Sequence, residues 1–281
     1  MQIAFATSEA MRHLDDELPL PLVAATTRGH RADVCRWDDP VVDWDSYDAV
    51  VVRSCWDYSG RREEFVAWAR SVQQLHNPVR AIAWNTDKVY LREFAEADMP
   101  IIDTHWNVGD GDDIGEHDEW VCKPSVSAGS RDTARWGTHE EVYAHSAALV
   151  AAGRTSMVQP YIPSVDTDGE TAIIFIGGEY SHAIRKGQLL HKGEGIRLDR
   201  DGRGTTTPRA PTAAQHEIAA ESLAATARIL GLDEPLLYAR VDLVTAPNGS
   251  PLIIELELTE PSLFLAHSED GANRLVRALE A

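Results

Sequence analysis

The sequence predicts a mixed α/β protein, with a small α/β domain first and an α+β region after it. Three short stretches rich in Val, Ile and aromatic residues, at 2–7, 32–37 and 47–53, have the composition of strands. Apolar residues then recur at helical spacing over 61–76. Strands that alternate with helical segments favour a parallel sheet, and this pattern ends near Trp84.

After Trp84, strand-like segments dominate and helices are inserted between them. A helix is expected from Thr86 to Ala97, with Asn85 or Thr86 as its cap and Pro100 beyond its end. Further strands are expected at 119–124, 156–162, 171–176 and 180–185, and further helices at 140–152 and 214–230. This order of elements indicates an α+β organisation.

A hairpin and a glycine-rich loop follow from the turn residues. Gly177-Gly178 between two strand-like segments predicts a tight turn that places Glu170 opposite Arg185. The segment 193–207 contains four glycines and mixed charges. We expect it to be a mobile loop beside the functional site.

The charge balance excludes two classes of partner. The 281 residues include 45 acidic and 26 basic side chains, a net charge of −19, so nucleic acid and anionic membranes are not expected to bind. No stretch approaches the roughly 20 apolar residues of a membrane helix, and the first residues lack the features of a signal peptide. We expect a cytoplasmic protein. Its three cysteines match neither a disulfide framework nor a CxxC metal motif, and a GxGxxG dinucleotide motif is absent after the first strand.

Lysine is scarce in this chain, because 22 of the 26 basic residues are arginine. The four lysines are Lys88, Lys123, Lys186 and Lys192. A compact ammonium group is suited to contact a phosphate oxygen, so these positions are candidates for nucleotide binding. The alternative interpretation is that they are scattered remnants of composition.

A predicted hairpin carries the strongest local signal. Residues 238–244 and 252–258 are strand-like, and Asn248-Gly249 between them is a typical hairpin turn. A turn centred there places Asp242 opposite Glu255 and Arg240 opposite Glu257.

Alternation along the two strands separates an apolar face from a charged one. The residues expected in the core are Val241, Leu243, Ile254, Leu256 and Leu258, and those on the charged face are Arg240, Asp242, Glu255 and Glu257. Three carboxylates on one face repel each other unless a cation lies among them, and oxygen ligands beside an arginine favour Mg²⁺ that also binds phosphate. The alternative is an exposed acidic face of an acidic protein.

Between Asn85 and Ser262 the sequence resembles the ATP-grasp superfamily of ligases. Asn85-Thr-Asp-Lys88 and Val121-Cys-Lys-Pro124 resemble the segments of the two nucleotide lysines. Ser125-Val-Ser-Ala-Gly-Ser130 is similar to the small-residue loop that closes over the phosphates. Gln159-Pro-Tyr-Ile162 resembles the hinge that binds adenine.

The resemblance implies an ATP-grasp fold, in which two α+β subdomains clasp ATP, preceded by a small α/β pre-ATP-grasp domain. The implied domain limits are 1–84 for the substrate domain, 85–162 for the small subdomain and 163–281 for the large subdomain with the metal site. The loop 125–130 and the segment 193–207 would exclude water from the intermediate.

The resemblance also implies a set of site residues. Nucleotide binding is expected of Lys88, Lys123, Ser127, Gly129, Ser130, Gln159, Tyr161, Ile162, Glu170, Lys186 and Arg240. Asp242, Glu255 and Glu257 are the expected ligands of two Mg²⁺ ions, with Mn²⁺ as an alternative metal. Arg240 and Lys123 would stabilise the transferred phosphoryl group, and Arg53 would bind the substrate carboxylate. Glu257 stands where many members have Asn, which should strengthen metal dependence.

Three segments, 50–58, 178–186 and 255–265, resemble a narrower branch that contains the cyclo-ligase of D-cycloserine biosynthesis and lies near glutathione synthetase and the RimK-like ligases. This resemblance implies an ATP-dependent carboxylate–amine ligase that forms an acyl phosphate. Ring closure of a small amino acid derivative such as O-ureido-serine would place it in antibiotic biosynthesis.

Three other functions stay open on sequence grounds. The first is an intermolecular amino acid or peptide ligase, and the second is a nucleotide-binding module without activity. The third is a thiol hydrolase that uses Cys55 with His76 or His182 as base. The expected partner is a small-molecule carboxylate or amine, and a homodimer is the assembly considered.

Overall fold

The computed structural model describes residues 1–10, 12–197 and 204–280, which form three sheets flanked by helices. The strands are β1 (Gln2–Thr7), β2 (Arg31–Arg36), β3 (Ala49–Val52), β4 (Leu75–His76), β5 (His105–Trp106), β6 (Trp120–Pro124), β7 (Ala134–Trp136), β8 (Ser156–Pro160), β9 (Glu170–Ile176), β10 (Glu179–Lys186), β11 (Thr206–Pro208), β12 (Tyr238–Thr245) and β13 (Pro251–Glu257). The α-helices are α1 (Pro19–Thr27), α2 (Arg62–Ser71), α3 (Val79–Asn85), α4 (Tyr90–Glu96), α5 (His139–Ala151), α6 (Ser164–Thr167), α7 (Ala213–Leu230) and α8 (Gly271–Arg277).

The first sheet is parallel, as the alternation of strands and helices predicts. Its order is β2-β1-β3-β4. The fully buried strand Ala49–Val52 lies in its interior, as expected for an apolar run in a parallel sheet. Helix α8, near the carboxyl end of the chain, packs on α1, so Leu275 shares a core with Ile3 and Phe5.

The other two sheets are antiparallel. The second has the order β5-β8-β6-β7, and the third has the order β11-β10-β9-β12-β13. Helix α7 has a capping box at Thr212 and ends at Gly231, which has left-handed geometry, in agreement with the predicted end. Each sheet lies within one predicted domain, and the domain limits themselves stay a prediction. None of the described helices is long and apolar enough to cross a bilayer.

The helix predicted from Thr86 to Ala97 begins later, at Tyr90, and the preceding helix α3 was not expected. Tertiary hydrogen bonds shape the segment between the two helices. The Lys88 amide donates to the Ser125 carbonyl at 2.9 Å, and the side-chain amide of Asn85 donates to the Leu256 carbonyl at 2.7 Å. These bonds attach the segment to the loop after β6 and to β13.

The register of the β12–β13 hairpin is as predicted at the charged pairs, with Arg240 opposite Glu257 and Asp242 opposite Glu255. A bulge then shifts the pairing, so that Leu243 faces Ile253. The expectation that Ile254 lies in the main core is therefore wrong. Ile253 occupies that place, and Ile254 lines a cavity on the charged side of the sheet.

A second bulge corrects the predicted pairing of β9 with β10. The register shifts between Tyr180 and His182, so Glu170 faces Lys186 rather than Arg185. The Arg185 guanidinium instead donates to the carbonyls of Thr167 and Asp168. Part of the predicted loop 193–207 is strand β11, and its residues 198–203 lie outside the described residues.

Candidate active site

A cavity of about 680 Å³ lies between the second and third sheets, within the usual size of small-molecule sites. The residues predicted for nucleotide and metal binding all line it: Lys88, Lys123, Ser127, Gly129, Ser130, Gln159, Tyr161, Ile162, Glu170, Lys186, Arg240, Asp242, Glu255 and Glu257. The structure therefore brings together side chains that are up to 169 positions apart, from Lys88 to Glu257.

Among the described residues that line the cavity, Lys88, Lys186 and Arg240 are paired with carboxylates. Lys88 Nζ is 3.0 Å from Glu255 Oε1 and also donates to the Ser127 carbonyl. Arg240 donates to both Asp242 oxygens at 2.9 Å and also to Glu257.

Lys123 differs from the other cations. It is 9% exposed, and no carboxylate of the described residues lies within ion-pair distance of its ammonium. Burial lowers its pKa, and the nearby charge of Glu255 opposes this effect. A buried cation without an anion is unfavourable. An anion brought by a ligand would therefore stabilise the Lys123 ammonium.

The three predicted metal ligands have different protonation behaviour. Burial raises the pKa of Asp242, but the charges of Arg240 and Lys186 outweigh burial and hold it at about 2. The pKa of Glu255 is lowered, since Lys88 and Lys123 outweigh its burial. Burial raises the pKa of Glu257 to about 7, despite the charge of Arg240.

The carboxylates provide oxygen ligands of the kind that Mg²⁺ prefers. Within 1–10, 12–197 and 204–280, no three His, Cys, Asp or Glu side chains are grouped closely enough to hold a metal ion by themselves. Instead, the side chains of Lys88, Lys186 and Arg240 form ion pairs with the carboxylates. The carboxylates fit Mg²⁺ that binds together with phosphate groups. The phosphate oxygens would supply further ligands to the metal and would pair with the lysine and arginine side chains that the metal displaces.

One end of the cavity is apolar and suited to a planar base. Ile102, Ile162 and Val244 pack together there, with Ile254 against them. The Gln159 side chain donates to Thr104 at 2.9 Å, which fixes its orientation.

Tyr161 lies in the segment 159–162, which was predicted to be the hinge. Its ring lies under the Arg135 guanidinium at 3.5 Å, and its hydroxyl donates to Asp166. Contacts with Arg135 and Asp166 therefore fix the Tyr161 side chain in the wall of the cavity.

The loop after β6 forms another part of the cavity wall. Ser127, Gly129 and Ser130 line the cavity, and the φ angles of Gly129 and Ser130 are +64° and +57°. These values lie in the left-handed region of the backbone, which occurs in tight turns. Gly129 adopts this geometry without the steric cost that a side chain imposes.

The structure does not bring Arg53 into the cavity. Its guanidinium is 2% exposed and donates to Asp15 at 3.3 Å, with Glu17 at 3.8 Å. It also contacts the Pro261 carbonyl. The expected contact with a substrate carboxylate is corrected accordingly, because this guanidinium is already occupied by acidic side chains.

The cavity is also lined by residues that the sequence analysis did not assign to the site. These are Glu17, Trp56, Tyr58, Glu260, Ser262 and Phe264. Glu260 and Ser262 follow the charged hairpin directly, and this adjacency is the sequence signal that could have identified them. The Ser262 carbonyl accepts from Arg240 at 3.1 Å, which ties this segment to the charged face.

The structure does not support a thiol hydrolase. Cys55 is fully buried, and burial raises its pKa well above the usual value. The His182 ring is hydrogen-bonded to the carbonyls of Leu263 and Phe264. A protonated, inaccessible thiol is not a nucleophile.

Solved structures of ATP-grasp proteins share this fold over the whole chain. A RimK domain ATP-grasp protein from Sphaerobacter thermophilus has a TM-score of 0.67 at 15% identity, with 100% of both chains covered. D-alanine–D-alanine ligase from Bacillus anthracis has a TM-score of 0.67 at 14% identity, covering 100% of this chain and 96% of that one. The protein therefore has the ATP-grasp fold.

Closer relatives define the family. Residues 3–80 match the family described as D-cycloserine synthetase DcsG, N-terminal domain. The cycloserine biosynthesis protein DcsG of Streptomyces lavendulae is 38% identical over 296 aligned positions, covering 99% of this chain and 97% of the relative. A crystal structure of D-cycloserine synthetase DcsG has a TM-score of 0.90 and covers 99% of this chain and 98% of that one. The chain belongs to the DcsG family and is an ATP-dependent ligase that forms carbon–nitrogen bonds.

Proposed function

We propose that the protein is a cyclo-ligase that closes a ring within a small amino acid derivative such as O-ureido-serine, giving cycloserine. The observation that carries the proposal is the buried ammonium of Lys123, which has no carboxylate partner among the described residues and lines a cavity of about 680 Å³, a volume suited to small molecules. The names of the relatives at 38% identity, which refer to cycloserine, support this product class.

Catalysis by these residues is mainly positioning and electrostatics. The substrate carboxylate attacks the γ-phosphate of ATP, giving an acyl phosphate and ADP. The oxygen-bound nitrogen of the same molecule then attacks the acyl carbon and releases its proton to solvent, and phosphate leaves with the bonding electrons. Water then hydrolyses the carbamoyl group from the ring nitrogen, giving carbon dioxide, ammonia and cycloserine. Lys88, Lys123 and Arg240 would stabilise the charge on the transferred phosphoryl group, and no protein nucleophile is required.

Asp242, Glu255 and Glu257 would hold Mg²⁺, which neutralises phosphate charge when bound. Other residues of the chain position these carboxylates and protect the intermediate. Arg240 fixes Asp242 through two hydrogen bonds, and the loop 125–130 would exclude water from the acyl phosphate. We further propose that the protein acts in the cytoplasm, where Mg-ATP is available.

A phosphate-release screen tests the proposal. Small amino acids and O-ureido-serine are supplied with Mg-ATP, singly and in pairs. Turnover with O-ureido-serine alone, together with a ring product by mass spectrometry, is the expected result. A strict requirement for two compounds would indicate intermolecular ligation, and no turnover with any compound despite Mg-ATP binding would indicate a nucleotide-binding module.

A further inference from the structure

Side chains of both charges line the polar part of the cavity. The cations there are Lys88, Lys123, Lys186 and Arg240, and the acids beside them are Glu170, Asp242, Glu255 and Glu257. Glu260 also lines the cavity, beside the aromatic residues Trp56 and Tyr58. A ligand bound there can place a negative group at Lys123, which has no carboxylate partner among the described residues, and a positive group at Glu260.

Glu260 is a buried carboxylate without a cation among the described residues. It is 8% exposed and lines the cavity, and no described residue forms an ion pair with it. The charge of Lys88 favours ionisation of Glu260, but Lys88 forms its ion pair with Glu255 at 3.0 Å. The Tyr58 hydroxyl hydrogen-bonds the Glu260 carboxyl group, and Trp56 Nε1 donates to the Glu260 carbonyl at 2.8 Å. Glu260 is thus held in place, and its ionisation is costly until a cation binds beside it.

We propose that Glu260, with Trp56 and Tyr58, forms a subsite for the α-ammonium group of the substrate. An ammonium group offers three donors to a carboxylate and is attracted to aromatic faces, so both kinds of side chain in this part of the cavity suit it. The inference rests on the proposed function and adds the polarity of its substrate, a zwitterion whose carboxylate points toward Lys123 and the ATP phosphates.

Glu17, the neighbouring acid, has a different role. Its carboxylate accepts from the amides of Phe264 at 2.9 Å and Ala266 at 3.4 Å, and Arg53 lies 3.8 Å away. These contacts offset part of the burial that raises the pKa of Glu17, and they position the segment that follows Glu260. Burial raises the pKa of Glu260 to about 8, in agreement with a carboxylate that lacks a cation until the ligand binds.

Calorimetry with a non-hydrolysable ATP analogue and Mg²⁺ tests the subsite without turnover. The ligands are O-ureido-serine and its des-amino analogue, which lacks only the α-ammonium group. We expect the wild-type protein to bind the des-amino compound about 10- to 100-fold more weakly, as for loss of a charged hydrogen bond. Glu260→Gln should weaken O-ureido-serine binding by a similar factor and leave the des-amino compound within about threefold of wild type.

Glu221→Gln, at an exposed position of α7, is the matched control and should behave as wild type. Equal losses for both ligands in Glu260→Gln, or no loss for O-ureido-serine, would overturn the proposal. If Glu260→Gln does not fold, the test uses the wild type and Glu260→Asp. Equal binding of the two ligands by the wild type would refute the subsite. If the phosphate-release screen identifies another amino acid as substrate, that compound and its des-amino analogue replace the pair. The phosphate-release assay tests the proposed ligase activity. The ratio of the binding constants of the two ligands tests the subsite separately.

Discussion

Lys186 on β10 reaches over the neighbouring strand β9 to Asp242 on β12, with Nζ 2.8 Å from Oδ2. On the way it contacts Glu170 of β9 at 2.6 Å. One ammonium group therefore links three adjacent strands on the cavity face of the third sheet. Cations and carboxylates alternate across this face, so each carboxylate of the network has a cationic partner and the side chains are held in an ordered arrangement.

The first prediction concerns the carboxylates of this network. Glu255→Gln and Asp242→Asn should each lower kcat for phosphate release by at least about 100-fold, because each variant removes an anionic ligand from the proposed Mg²⁺ site. The measurement is steady-state phosphate release with O-ureido-serine, with near-UV circular dichroism as a check of the fold. Glu221→Gln serves as control, and turnover near the wild-type level in either variant would remove the proposed metal site.

The second prediction follows from the ammonium of Lys123, which has no carboxylate partner among the described residues. Lys123→Met should weaken Mg-ATP binding by about 10- to 100-fold, because the phosphate loses a charge-assisted contact. The free energy of unfolding without nucleotide should not fall, because a buried charge without a partner is removed.

Thermal unfolding with and without Mg-ATP measures both effects. Ligand at 100 times its Kd stabilises the wild type by about 2.7 kcal/mol. Arg70→Met, at an exposed position of α2, is the matched loss of a cation. A variant that keeps the wild-type shift in melting temperature would show that Lys123 does not contact the nucleotide.

The charged hairpin shows how far sequence reasoning reaches. The Asn-Gly turn and period-2 alternation predict the facing pairs Arg240–Glu257 and Asp242–Glu255, and the structure confirms both pairs. The pairs nearest the turn, such as Leu243–Ile253, are one residue away from the predicted register, and the bulge restores that register at the charged pairs.

Features that depend on tertiary contacts could not be predicted in this way. A bulge adds one residue without a distinct sequence signal, so the facing partner of Glu170 was wrong by one position. Arg53 lies after a parallel strand, where ligands commonly bind, but Asp15 and Glu17 from a distant segment occupy its guanidinium. The position of Glu260 likewise depends on Tyr58, about 200 positions earlier in the chain.

The third prediction concerns the buried pair of Arg53 and Asp15, in which both side chains are at most 3% exposed. Asp15→Asn should reduce the free energy of unfolding by about 2–4 kcal/mol, because it leaves the buried guanidinium with only the more distant Glu17. Urea denaturation measures the change. Glu221→Gln breaks an exposed ion pair with Arg228 and should change stability by less than about 0.5 kcal/mol. Similar values for the two variants would show that the Arg53 pair has no structural importance.

The fourth prediction is a pH dependence of stability that arises from Glu260. Burial raises the pKa of its carboxyl from 4.5 to about 8, so between these pH values the folded state binds the proton that the unfolded state has lost. The resulting stability is fully present below about pH 4.5 and is lost as the pH rises through about 8.

Glu260→Gln keeps the shape of the protonated group and cannot ionise. Without ligand, it should match wild type near pH 5 and exceed it above pH 8 by roughly 2–4 kcal/mol, because a tenfold difference in proton affinity corresponds to about 1.4 kcal/mol. Urea denaturation across this pH range measures the difference, and O-ureido-serine with Mg-ATP analogue should reduce it by stabilising the ionised wild type. A difference between the two proteins that does not change with pH would show that Glu260 ionises freely and that its part of the cavity has no uncompensated charge.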